Sequence, residues 1–332
     1  MLFRRFIPVF LISFCINIIS CSDQDRSQKV IGDYLGQTPP GETPELFAPG
    51  VITHGFHEHG IAISPDGNEM FYVTTDNRYS QYIIIHVKRT NNIWSEPEVA
   101  FFSGQYIDFE PEFSHDGKKL FFSSTRPLHG NEPSEEDTNI WYIEKTGSTW
   151  SDPLDIGLPV NTINGELNQT VAANGNIYYQ YYEERGLSSD IYFSRFDNGE
   201  YTVPLRLENG INTDQNEASP FISPDESYLM FHSNRPGTLG SMDIYISFKQ
   251  ENGSWGEPEN MGEPVNSPFP DNIPYVTPDG KYFFFSSYRT LDPGLFKGKT
   301  YNELMELYRN PRNGYMTIFW MSSDFINELK NK

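Results

Sequence analysis

The chain has 332 residues, with 24 lysines and arginines against 45 aspartates and glutamates, a net charge of −21, and 15% aromatic residues. So acidic a surface repels nucleic acid and other polyanions, and leaves cations, neutral sugars and basic surfaces as tolerated partners. The only two cysteines, Cys15 and Cys21, exclude a disulfide framework beyond residue 21, and a domain of about 300 residues buries enough apolar surface without one.

Arg4 and Arg5 lead into the apolar run Phe6 to Ile19. That run is shorter than the about 20 residues that span a bilayer as a helix, so it reads as an export signal. It ends in Ile18-Ile19-Ser20-Cys21, which resembles the bacterial lipobox. The resemblance implies cleavage before Cys21, lipid on Cys21 and membrane contact through that lipid alone. Residues 1–21 are then the signal, the polar stretch 22–43 is expected to be a flexible tether, and 44–332 form one domain. The implied location is the cell envelope, as an outer-membrane lipoprotein facing the periplasm or the exterior.

Five copies of one unit follow. Its marker is a turn: Ser64-Pro65-Asp66-Gly67, Ser114-His115-Asp116-Gly117, Ala172-Ala173-Asn174-Gly175, Ser223-Pro224-Asp225-Glu226 and Thr277-Pro278-Asp279-Gly280. The markers Asp66, Asp116, Asn174, Asp225 and Asp279 are spaced by 50, 58, 51 and 54 residues. Pro presets φ, Asp or Asn bonds its own backbone, and Gly accepts the left-handed conformation that closes a hairpin. Glu226 in place of Gly predicts a strained turn or one of another type. Short apolar runs flank each turn, such as Phe283-Phe284-Phe285, and a third run such as Ile244-Tyr245-Ile246 follows. A fourth carries an aromatic residue and a proline three positions on: Trp94 and Pro97, Trp150 and Pro153, Tyr201 and Pro204, Trp255 and Pro258. A proline cannot donate to a ladder, so this run is the outer edge of its sheet.

Four-stranded units at this period predict an all-β chain, a five-bladed β-propeller of antiparallel blades. A sixth blade would need a hidden copy. The fifth unit has no fourth strand before Lys332, and Pro44-Glu45-Leu46-Phe47 resembles Pro258-Glu259-Asn260-Met261, so the N-terminal segment is expected to close the ring.

The recurring acid, Ser-Pro-Asp-Gly turn, Asp-Ile-Tyr (190–192 and 243–245) and Trp-x-x-Pro elements resemble the TolB-like family of periplasmic propellers with WD40-like repeats. Asn139-Ile140-Trp141 and Thr317-Ile318-Phe319 depart from the pattern. That family spans scaffolds, binding modules and fusions to enzymes, so the resemblance implies a fold more than a function.

Eight residues before every marker stands an acid: Glu58, Asp108, Glu166, Glu217 and Asp271. Ring closure would gather these five at a channel mouth. They form either a site for a cation or basic ligand, or a structural set bonded to amides and to Arg126, Arg235, Arg289, Arg78 and Arg185. His54, His57 and His59 form a candidate group for a divalent metal, with His115 or His232 as a distant third ligand. The alternative for them is ordinary solvation or hydrogen bonding, and no other cofactor is implied. Leu291 to Gly314 is an insertion with a capping box at Thr300 and Glu303, which either lids the channel, binds a partner or covers apolar surface. Pro127 to Thr138, with Glu132, Glu135, Glu136 and Asp137, reads as a solvated charge run and not a calcium loop. No Gly-x-Ser-x-Gly elbow, phosphate loop or zinc-finger spacing is present.

These features favour a non-catalytic envelope propeller that binds or scaffolds a protein or glycan partner on one face. The alternatives are a carbohydrate-active lyase or glycosidase using the central cleft, with no catalytic residue identified, and a structural envelope protein without ligand.

Overall fold

The structure, a computed structural model, describes residues 29–128, 137–183, 188–208 and 210–330. Cys21, the export signal, most of the acidic loop and Arg185 lie outside them. Five antiparallel sheets form a five-bladed propeller. Blade 1 contains β2 (His57–Ile63), β3 (Glu69–Thr75), β4 (Tyr82–Thr90), β5 (Ile93–Trp94) and β6 (Glu98–Val99). It follows β1 (Glu45–Leu46), which belongs to blade 5. Blade 2 contains β7 (Asp108–Phe113), β8 (Lys119–Ser124), β9 (Asn139–Thr146), β10 (Thr149–Trp150) and β11 (Leu154–Asp155). Blade 3 contains β12 (Gly165–Val171), β13 (Ile177–Tyr182), β14 (Asp190–Ser194), β15 (Phe196–Asp197), β16 (Glu200–Tyr201) and β17 (Leu205–Arg206). Blade 4 contains β18 (Glu217–Ile222), β19 (Tyr228–Ser233), β20 (Asp243–Phe248) and β21 (Glu259–Asn260), and blade 5 contains β22 (Asp271–Val276), β23 (Tyr282–Ser287) and β24 (Thr317–Ser322).

The ring closes as the repeat count requires. β1 pairs antiparallel with β24, Glu45 opposite Trp320 and Leu46 opposite Phe319, and the Phe47 N–H donates to Ile318 O at 3.0 Å. Phe47 is fully buried against Phe284 and Trp320, with ring centroids 5.0 and 5.1 Å away. In blades 1 and 2 the outer strand is split at Pro97 and Pro153: β5 and β6 both pair with β4, and β10 and β11 both pair with β9.

The marker turns hold as their chemistry demands. Ser64 Oγ donates to Asp66 Oδ1 at 2.6 Å, Asn68 N–H to the same oxygen at 3.0 Å, and Gly67 N–H to Ser64 O at 2.8 Å. Glu226, at φ 56°, takes the same left-handed conformation as Gly67 at 66° and Gly280 at 71°. Its carboxylate accepts from Asn176 Nδ2 and Tyr178 OH, both at 2.9 Å, and from Lys249 Nζ at 3.3 Å. Burial opposes its ionised form, but the Asn176 and Tyr178 bonds and the Lys249 charge outweigh burial and hold the carboxyl below its usual range. With a further bond from Asn174 Nδ2 at 3.3 Å, the departure from glycine is thus offset by four side-chain bonds.

Up-and-down connectivity gives the propeller two unlike faces. The marker turns lie on one, the turn face. The loops between second and third strands and the entries to inner strands lie on the other, the loop face. Much of the segment expected to be a tether is laid on the turn face. Trp94 Nε1–H donates to Gly32 O at 2.7 Å, Trp94 N–H donates to Val30 O at 2.9 Å, Asp33 pairs with Arg89, and Leu35 is buried. On the loop face, the insertion forms α1 (Tyr301–Tyr308), where the Thr300–Glu303 capping box is present in both directions. A last helix, α2 (Phe325–Lys330), buries Ile326.

Candidate functional site

The five repeated acids are all buried. In blades 2, 4 and 5 each meets an arginine: Asp108–Arg126 at 3.1 Å, Glu217–Arg235 at 3.1 Å and Asp271–Arg289 at 3.2 Å. Each guanidinium also donates to a carbonyl of the entry loop, Phe102 O, Ile211 O or Pro264 O, and packs over an aromatic ring of its own blade, Phe122, Phe231 or Phe285. The other two acids have no such arginine among the described residues. Glu58 Oε1 accepts from His54 N–H at 3.2 Å, and Glu166 accepts from Thr162 N–H at 3.0 Å and from the Thr162 hydroxyl. Arg78 is exposed and faces Asp76. Burial pushes the Glu58 carboxyl up to about 8, against bonds from His54 and Phe56. Burial also pushes Glu166 up to about 7, with the charge of Asp137 adding to it. Asp108 and Asp271 are raised too, by burial that Arg126 and Arg289 only partly counter.

The histidines fall into separate environments. His54 is exposed and contacts Val51 O at 3.0 Å. His57 is buried beside blade 5, where its Nδ1 accepts from Met316 N–H at 3.1 Å and meets Tyr79 OH at 3.1 Å. An Nδ1 that accepts a backbone N–H is unprotonated, and burial holds His57 below its usual range. His59 is buried toward blade 2, its Nδ1 3.1 Å from Glu110 Oε1 and its Nε2 without a hydrogen-bond partner. His115 lies in a turn on the opposite face, and His232 is buried in β19, where burial lowers it to about 4. Among the described residues no group of three or more His, Cys, Asp or Glu is placed to hold a metal ion.

The axis holds a feature that sequence reading missed. Six residues before each marker, every inner strand carries one residue in the left-handed region: Gly60, Glu110, Asn168, Ser219 and Ile273, with φ of 56°, 47°, 52°, 45° and 52°. Each sits at a β-bulge where the register to the second strand slips. For a β-branched residue such as Ile273 this conformation is strained. The bulges bring the five strands together at a waist whose cavity is about 30 Å³, room for about a water molecule or two. A Cβ on Gly60 would lie 2.5 Å from Glu110 Oε2, so a larger residue there would have to displace the Glu110 side chain. Glu112 lines the same waist, where burial, with the Glu110 charge adding, pushes its carboxyl up to about 8 against a bond from Thr170. The available signals were Gly60 and Asn168, which tolerate positive φ, and Pro111, Pro220 and Pro274 one residue on, which interrupt a ladder.

Apolar exposure on the loop face is concentrated on its connections. Phe56 and Ile163 lie on entry loops and Leu239 on the loop of blade 4. Tyr301 is 74% and Tyr308 55% exposed on α1, and no residue of that helix is buried. The insertion therefore covers little apolar surface. It is tied down at its ends, by Leu291 N–H to Arg312 O and Asn313 Nδ2 to Gly55 O, each at 2.9 Å.

No protein-family model and no curated protein matches the chain. Solved structures similar to it include TolB from Agrobacterium tumefaciens, at 20% identity over 70% of each chain, TM-score 0.47. They also include a GH43 endo-arabinanase from Bacillus licheniformis, at 13% identity over 81% of this chain and 94% of that one, TM-score 0.47. A glycoside hydrolase is similar at 11% identity over 87% and 93%, TM-score 0.51. At such identities the likeness is one of fold, and a propeller fold hosts both scaffolds and enzymes.

Proposed function

We propose that the chain is a TolB-like binding propeller of the cell envelope, held by lipid on Cys21, that captures a protein partner on its loop face without catalysing a reaction. The observation that carries this reading is α1, an ordered, capped helix that presents Tyr301 and Tyr308 to solvent and buries none of its own residues. Exposed aromatic anchors beside a rigid scaffold are what interface hot spots are made of. The placement of the N-terminal segment agrees. Val30 and Asp33 lie on the turn face, so a tether from Cys21 would join the propeller on that side and leave the loop face the freer of the two.

The geometry of the axis disfavours the enzyme reading. The repeated acids are consumed in closing their own loops. Glu112 sits at a waist too narrow for a sugar ring, and glycoside chemistry needs two accessible carboxyls about 5–10 Å apart. The test is capture of partners from envelope extracts with the full chain and with a Tyr301→Ala/Tyr308→Ala variant. Specific capture that the variant loses, at unchanged melting temperature, is expected. Equal capture by both, or turnover of a polysaccharide that Glu110→Gln abolishes, would overturn the proposal.

A further inference from the structure

On the turn face one device recurs in three of the five blades. In blades 1, 2 and 4 the outer-strand tryptophan pairs with a cation on the third strand: Arg89 opposite Trp94, Lys145 opposite Trp150, and Lys249 opposite Trp255. Each cation lies over its ring, at 5.5, 5.1 and 5.3 Å from the centroid. Blade 3 breaks the device at both positions. Its bridge joins Phe196 to Tyr201, so Phe196 replaces the cation and Tyr201 the tryptophan, with centroids 5.0 Å apart. The two turns that border the cleft between blades 2 and 3 also lack the proline found in the other three, since His115 and Ala173 stand where Pro65, Pro224 and Pro278 stand elsewhere.

These departures coincide at one place and leave a groove of about 700 Å³ between blades 2 and 3. The apolar cluster beneath it is correspondingly small among the described residues, six buried side chains against eleven between blades 1 and 2. The groove has aromatic walls, Tyr142 from blade 2 and Tyr201 and Phe196 from blade 3, and Leu158 stands 84% exposed at its edge. Tyr142 and Tyr201 line the groove from the two sides, one on each blade.

We propose that this groove is a binding site for a neutral oligosaccharide, separate from the loop face and independent of what docks there. Its size falls within the about 300–1,000 Å³ of small-ligand sites. Its lining mixes turn residues such as His115 and Asn174 with strand side chains, and the rings of Tyr142, Tyr201 and Phe196 stand among them. Ring faces and polar side chains are therefore what it offers a ligand. The polar residues of the rim carry both signs: Lys119, whose ammonium lies 4.3 Å from the Tyr142 ring centroid, and Asp116 and Glu200. Such a rim offers both donors and acceptors, and its one acid in excess repels an anionic ligand. A sugar ring matches it, with an apolar face for Tyr201 or Phe196 and hydroxyls that both donate and accept.

Affinity electrophoresis of the full chain in detergent, in gels containing starch, galactomannan, arabinoxylan or laminarin, tests the proposal. Retardation by at least one of these neutral polysaccharides is expected. Phe196→Ala should weaken it about fivefold to tenfold, the value of one lost aromatic contact. A Phe196→Lys/Tyr201→Trp variant rebuilds the device of blades 1, 2 and 4 and should abolish retardation while keeping its melting temperature. If that variant unfolds, Phe196→Ala alone decides, because Phe196 is 38% exposed and carries little of the core. Absence of retardation in all four gels, or retardation unchanged in Phe196→Ala, would overturn the site. Retardation lost only in Tyr301→Ala/Tyr308→Ala would place the sugar on the loop face and overturn it equally.

Discussion

Blades 2, 4 and 5 and blades 1 and 3 bury the same acid at the same position and neutralise it differently. In the first group an arginine stacks on the blade and reaches both the carboxylate and the entry loop. In the second group no described arginine arrives, and the carboxyl is kept near neutrality by burial instead. One repeated position therefore meets two surroundings in one ring, and burial raises the carboxyl beside an arginine at Asp108 and Asp271 as well as without one at Glu58 and Glu166. The difference teaches that the acid serves the loop it closes whether or not an arginine reaches it.

Removing an arginine should break the comparison most severely. Arg235→Ala leaves Glu217 buried without its partner and should cost about 3–5 kcal/mol in denaturant unfolding. The same change at Arg78, which faces solvent, should stay within about 0.5 kcal/mol.

The unpaired group predicts the pH profile. Glu58, Glu166 and Glu112 have folded values of about 8, 7 and 8, above the unfolded value of 4.5. Their contribution is fully present below pH 4.5 and is lost as pH rises through 7 to 8, because the unfolded chain releases those protons first. The melting temperature should therefore fall between pH 5 and pH 9. Glu58→Gln mimics the neutral acid: it should be near neutral in effect at pH 5 and stabilise by about 1–3 kcal/mol at pH 9. A melting temperature that rises with pH, or an equal effect of Glu58→Gln at both pH values, would contradict the protonated state.

Smaller effects test the turns. Glu226→Gly relieves a left-handed glutamate but removes its bonds to Asn176, Tyr178 and Lys249, and should destabilise by about 1 kcal/mol. If it stabilises instead, the backbone strain outweighs the bonds.

The blades, their order and the closing strand were legible because each depends on local signals that recur: Asp66 bonding its own turn, Pro97 breaking an edge, Glu45 and Leu46 echoing Glu259 and Asn260. The repeated acid was legible as a position, and its arginine in part: Arg126, Arg235 and Arg289 share one spacing from their markers and all reach the acid, whereas Arg78, at a different spacing, faces solvent. The waist was missed because Ile273 and Ser219 carry no intrinsic preference for positive φ. Tertiary packing imposes it, and only the five copies superposed reveal it. The course of residues 29–40 was missed for a similar reason: a polar stretch reads as free chain until Trp94 and Arg89 are known to face it.

The β1–β24 pair joins residues 275 positions apart, Glu45 with Trp320. At about 5–20 residues per second of synthesis, the early strand waits some tens of seconds for its partner. The circle can be completed only when β24 has been synthesised and can pair with β1. Until then Phe47 and one edge of the last sheet have no cover, so this interval is the period in which the nascent protein depends most on chaperone protection.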